Sequence, residues 1–127
     1  MWGVNADDEI FYRRYGRGRW SKIEGALKQI SVGKLGTFGV NGNDEIFYRT
    51  GTMEDQRSSG TGWQRLSGAL KYISSGQSTI WGVNKNDEIF YSKNMGNDNG
   101  VINFEWVNVA GGLMQIAVSP GNINHII

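Results

Sequence analysis

The stretch Trp81-Gly82-Val83-Asn84-Lys85-Asn86-Asp87-Glu88-Ile89-Phe90-Tyr91 decides the fold, because the chain contains it three times. The earlier copies are Trp2-Gly3-Val4-Asn5-Ala6-Asp7-Asp8-Glu9-Ile10-Phe11-Tyr12 and Phe38-Gly39-Val40-Asn41-Gly42-Asn43-Asp44-Glu45-Ile46-Phe47-Tyr48. Self-similarity at a period of about 40 residues marks a solenoid, a propeller or an array. Each copy opens on an apolar, β-prone run, passes through a cluster of Asn and Asp, and resumes as alternating strand. Asn and Asp tolerate left-handed backbone and bond to their own chain, so each copy reads as strand, tight turn, strand.

The flanks repeat as well. After a variable segment, Trp20-Ser21-Lys22-Ile23 reads as a third strand, Glu24-Gly25-Ala26 as a turn and Leu27 to Val32 as a fourth strand. Trp63 to Leu66, Ser67-Gly68-Ala69 and Leu70 to Ser75 match them, as do Trp106 to Val109, Ala110-Gly111-Gly112 and Leu113 to Val118. Each unit is therefore expected to be a four-stranded antiparallel meander, the pattern of a propeller blade. Ile46 and Tyr48 point one way and Phe47 the other. Large apolar residues on both faces suit a sheet covered on both sides. The prediction is an all-β β-propeller built of four-stranded antiparallel blades, three per chain. It forms a single half-propeller domain, 1–127, with repeats of approximately 1–36, 37–79 and 80–127.

Propellers usually carry about four to eight blades, so three do not close a ring. Only Met1 precedes Trp2, whereas Gln77 to Ile80 precede Trp81; Gly121-Asn122-Ile123-Asn124-His125-Ile126-Ile127 reads as the missing half-strand. The expectation is a homodimer forming a six-bladed ring, with Ile126 and Ile127 of one chain abutting Trp2 of the other, a heterologous contact that closes.

Composition removes other classes. The net charge of +1 gives no global field toward nucleic acid or membrane. Five Trp, five Tyr and five Phe are too many for a disordered chain. With no cysteine there are no disulfides, catalytic thiolates or cysteine metal sites. No window reaches the length of a membrane-spanning helix. The N-terminus shows no basic-then-apolar signal pattern, which leaves secreted and cytoplasmic locations both open. No nucleophile elbow, zinc-binding HExxH or phosphate loop occurs. One histidine, His125, does not make a multi-histidine metal site within a chain. The chain is therefore expected to be no enzyme and to hold no metal or cofactor.

The pattern W-G-V-N-x-x-D-x-I-[FY]-Y, then Trp, then G-x-L-K-x-I-S resembles the repeat of the tectonin-repeat β-propeller lectins over nearly the whole chain. The resemblance implies a six-bladed propeller that binds carbohydrate on microbial or cell surfaces. This chain departs from it in having half the usual repeats, none of the cysteines of the secreted animal members, and Ser119-Pro120 in a divergent third repeat.

A ligand is expected at the segments between second and third strands, Arg14 to Arg19, Thr50 to Gly62 and Ser92 to Glu105, which vary most in length. Variable loops on a rigid scaffold usually carry recognition. Sugar binding needs flat apolar faces and planar polar groups. Tyr15, Arg17, Arg19, Asp55, Arg57, Asn97, Asp98, Asn99 and Asn103 are the candidates there. Trp2, Phe38 and Trp81 are candidates for lining a groove between blades. Trp20, Trp63 and Trp106 recur in every blade and are expected to pack between blades. The recurring Asn and Asp fit turn stabilisation better than a calcium loop, whose spacing is absent. The run Arg13-Arg14-Tyr15-Gly16-Arg17-Gly18-Arg19-Trp20 offers a second possibility, phosphorylated glycolipid or nucleic acid. Nucleic acid ranks low, because the run occurs once and Asp7-Asp8-Glu9 lies beside it. A protein-interaction scaffold using the same loops is the remaining alternative.

Overall fold

A computed structural model of the chain describes residues 1–14, 18–55, 57–76, 78–98, 101–112, 116–119 and 122–126. Among them every regular element is a strand. A three-stranded antiparallel sheet comprises β1 (Trp2–Val4), β2 (Ile10–Tyr12) and β3 (Ser21–Ile23). The second sheet holds β4 (Gln29–Gly33), β5 (Gly36–Val40), β6 (Glu45–Thr50) and β7 (Gly62–Ala69). The third holds β8 (Tyr72–Ser75), β9 (Ile80–Val83), β10 (Glu88–Asp98) and β11 (Val101–Gly112). A hairpin of β12 (Ile116–Ser119) and β13 (Asn122–Ile126) follows.

The repeat and the sheet are cut at different places. Leu27 to Val32, expected as the fourth strand of the first unit, supplies instead the first strand of the second sheet, with Gln29 opposite Val40 and Ser31 opposite Phe38. The crossing takes one peptide step. Leu27 N donates to Asp8 O of the first sheet at 3.0 Å, and Lys28 N donates to Val40 O of the second at 2.9 Å. Leu70 N and Lys71 N repeat this with Asp44 O and Val83 O, at 3.0 and 2.8 Å. A buried N–H must find an acceptor, and here consecutive amides find theirs in consecutive sheets.

Asn122–Ile126 likewise forms a whole strand along β12, with Ala117 opposite His125 and Ile116 opposite Ile126.

The core lies between sheets. Ile10, Ile23 and Leu27 pack with Trp2, Val4 and Tyr12 from the first sheet and with Ile30, Phe47 and Trp63 from the second. Phe38, Val40, Ile46, Tyr48 and Leu66 meet Leu70, Ile73 and Ile80 at the next junction. Sheets buried on both faces need apolar residues on both, and Ile46, Phe47 and Tyr48 supply them. The inner strands of neighbouring sheets are bonded through side chains. Gln29 Nε2 donates to Ile73 O at 2.7 Å while its Oε1 accepts from Ile73 N at 2.9 Å.

Candidate functional site

The two ends of the sheets differ in chemistry. At one end the three Asn-x-x-Asp-Glu turns satisfy themselves. Asn5 Oδ1 accepts from Asp7 N at 3.0 Å and Glu9 N at 2.9 Å, and Asn5 Nδ2 donates to Glu9 Oε1 at 3.0 Å. Asn41 and Asn84 repeat the arrangement with Asn43 and Glu45, and with Asn86 and Glu88. The turn closes because Asp8, Asp44 and Asp87 adopt left-handed backbone, with φ of 62°, 64° and 63°, a conformation Asp accepts more readily than most residues. Lys28 Nζ then pairs with Asp44 Oδ1 at 2.5 Å, and Lys71 with Asp87. These polar groups are already engaged within the fold.

The opposite end carries the unequal connections. Arg19, Asp55 and Arg57 are exposed there. Asp55 holds its own loop, accepting from Arg57 N at 3.2 Å through Oδ1 and from Ser58 N at 3.2 Å through its carbonyl. The Tyr12 hydroxyl donates to Arg57 O, tying the second sheet's loop to the first sheet. Tyr15, Arg17 and Asn99 lie outside the described residues. The segment Ser92 to Glu105 corrects the expectation of a loop. Its described residues, 92–98 and 101–105, lie on the paired strands β10 and β11, with Gly96 opposite Asn103, Asn97 opposite Ile102 and Asp98 opposite Val101. Asn97, Asp98 and Asn103 therefore sit on ladder positions of extended strands.

Of the three groove candidates, Phe38 is fully buried and packs at 5.1 Å against Tyr48. A ligand approaching from outside does not reach its ring, so the groove expectation is corrected at this position. Trp81 is half-buried, its ring 5.2 Å from that of Tyr91. Trp2 is half-buried and stands at the first junction between sheets, 5.2 Å from the Tyr12 ring and 6.1 Å from that of Trp63.

Arg49 completes this junction, and no reading of the sequence singled it out. It is only 4% exposed. Its Cζ lies 5.0 Å from the Trp63 ring centroid and 5.8 Å from that of Trp2. Nε donates to Ser59 O at 2.9 Å, and Nη1 pairs with Glu24. A planar guanidinium stacks on indole and still uses its edge for hydrogen bonds. The Arg49 hydrogen bond holds the Glu24 carboxyl below its ordinary range. Hydrogen bonds from Lys22 and Asn5, with the Lys22 charge, do the same for Glu9. The signal was present in the sequence as the residue after Tyr48, where the third repeat has Ser92.

The expected packing between sheets is observed for Trp63 and Trp106 and not for Trp20, which is 44% exposed in this chain. Trp63 Nε1 donates to Glu24 O at 2.7 Å and Trp106 Nε1 to Ser67 O at 2.9 Å, each joining one sheet to the last part of the one before.

Repeated antiparallel sheets, packed face to face and carrying unequal loops at one end, are what the blades of a propeller-type binding protein present. The profile of the Tectonin domain family matches residues 1–124, and the chain belongs to that family. No curated protein matches the chain. No helix among the described residues is long and apolar enough to cross a membrane.

Proposed function

We propose that this chain is a non-catalytic lectin, binding glycans of microbial or cell surfaces at repeated sites on the unequal-loop end, and that two chains complete a six-bladed ring. The observation that carries the reading is the contrast between the ends. At the Asn–Asp end the repeated Asn and Glu side chains are bound within three near-identical turns. The other exposes Arg19, Asp55 and Arg57 on loops of different length. Sugar hydroxyls require such planar donors and acceptors. Several weak sites on one rigid body gain strength by simultaneous engagement of a glycan-coated surface.

Carboxylate pairing supports a role without catalysis. Glu9 pairs with Lys22, Glu45 with Arg65 and Glu24 with Arg49. A general acid needs a raised pKa, and Glu9 and Glu24 are shifted the other way. An anionic ligand, phosphorylated glycolipid above nucleic acid, is the second reading, favoured by the exposed side chains of Arg14 and Arg19. Arg13 does not add to that patch, because it stacks on Trp20 at 5.1 Å.

The test is retention on a glycan array, competed by free sugar. Arg57→Ala is expected to weaken retention about tenfold or more, a loss typical of a directly contacting polar group. Absence of retention on any glycan, alongside capture of a protein partner, would replace the lectin reading with a scaffold. Retention that falls steeply with salt identifies the anionic ligand.

A further inference from the structure

The first sheet turns one face away from the second, and that face is open. Trp20 is 44% exposed there. Beside it runs a groove of about 300 Å³ lined by Gly3, Val4, Asn5, Phe11 and Trp20. Phe11 and Trp20 occupy the repeat positions of Phe47 and Trp63. Around that second pair the gap is only about 60 Å³, because the turn Gly25-Ala26-Leu27 of the preceding sheet fills it. Trp20 thus lies in the same socket without its plug.

One pair of positions identifies the plug. At the first junction, Trp2 of one sheet meets Arg49 of the next. At the second junction Phe38 holds the place of Trp2, and Ser92 holds the place of Arg49. The Ser92 hydroxyl turns to its own sheet and accepts from Ile80 N at 2.9 Å. The ring with the stronger attraction for cations is followed by a cation, and the weaker ring by a neutral hydroxyl. The third sheet carries Trp81 at this place, and the first sheet carries Arg13 at the one that follows. A second match lies in the backbone. Among the described residues the first sheet comprises β1, β2 and β3, whereas β4 lies beside β5 and β8 beside β9 in the other two. By repeat position, β12 is the strand that belongs beside β1.

We infer that the open face of the first sheet docks on the third sheet of a second copy of this chain. Trp20 lies over the partner's Ala110-Gly111-Gly112, the end of its β11, Arg13 against its Trp81, and β1 along its β12, displacing the end of β13. The inference rests on the two-chain reading above and does not depend on sugar binding.

Sedimentation equilibrium over a range of concentrations tests it, with circular dichroism and urea melts to show that each variant is folded. The native chain is expected at twice its 14.1 kDa mass. Trp20→Ala is expected to raise the dissociation constant by more than about tenfold, the loss typical of a central interface aromatic. Arg13→Ser is expected to weaken association about tenfold when Trp81 is present and less than about threefold in a Trp81→Phe background, because the double variant recreates the Phe38–Ser92 combination. A native chain of single mass at every concentration overturns both the docking and the two-chain reading. A double-mass native chain unaffected by Trp20→Ala and Arg13→Ser overturns the docking alone.

Discussion

The indole N–H of Trp63 donates to the carbonyl of Glu24 at 2.7 Å, so a residue of the second sheet is fastened to the turn that ends the first. The turn must come close. A Cβ on Gly25, which has φ of 105°, would stand 3.2 Å from Trp63 Nε1. Trp63→Phe keeps a ring in the junction and removes the hydrogen bond, at an expected cost of about 1 kcal/mol. Trp63→Ala leaves a cavity as well and is expected to cost about 3–5 kcal/mol. Urea midpoints at constant slope measure both.

Arg49 lies against two indoles that also touch each other, and its charge and planarity both matter. Arg49→Met retains the stem and loses the cation, with an expected loss of about 2 kcal/mol. Arg49→Lys restores charge without the planar fork and should recover only part of it. Equal stability of Arg49→Met and the native chain would remove the stacking argument.

Acid should weaken the Glu24–Arg49 pair. The folded-state pKa of Glu24 is lowered, chiefly by the Arg49 hydrogen bond. Its contribution is therefore present above the ordinary carboxylate pKa of 4.5 and is lost as pH falls below that toward the lower folded value. The Glu24 side chain is 66% exposed, so solvent screens the pair and the effect is small. Native and Glu24→Gln chains should differ in stability at neutral pH and converge in acid.

Each Asn turn holds two backbone amides with one side-chain oxygen. Asn41→Ala frees the amides of Asn43 and Glu45 and should cost about 1–2 kcal/mol. Asn41→Asp keeps the acceptor but sets a second carboxylate beside Glu45, so it should recover less than the full loss. Chemical denaturation of the three chains checks the order.

Equivalent glycines should respond differently. A Cβ on Gly82 would lie 2.3 Å from Leu70 Cδ1, and one on Gly39 would lie 2.5 Å from Leu27 Cδ1. Gly82→Ala and Gly39→Ala are each expected to cost about 1–3 kcal/mol by overpacking. A Cβ on Gly3 meets nothing nearer than Trp20 at 4.0 Å. Gly3→Ala should leave the urea midpoint of the separated chain within about 0.5 kcal/mol of native.

Much of this was legible in the amino-acid order. The three motifs announced strand, turn and strand, because Asn5, Asn41 and Asn84 bring their own hydrogen-bonding chemistry. The recurrence of Trp63 and Trp106 announced packing between sheets. The sheet boundary was not legible, since a period states how long a unit is and not where hydrogen bonding breaks. That break depends on which carbonyls the amides of Leu27 and Lys28 meet in space. The polar run around Asn97 and Asp98 suggested a loop, yet Val101 and Ile102 extend the ladder to its end, where β-branched side chains suit a strand. Arg49 went unnoticed because a cation beside a variable segment looks like solvent-facing surface until two indoles are seen to cover it. Phe38, aligned with Trp2 and Trp81, looked equivalent to them, and its ring meets the Tyr of its own repeat as theirs do; its complete burial distinguishes it.

The self-contained Asn turns have an evolutionary consequence. A duplication inside this gene would deliver a new unit with its bend already chemically complete. Only the side chains meeting at its two flanks would need to match their neighbours. Lineages built this way are free to change the number of units, while selection acts on the seams.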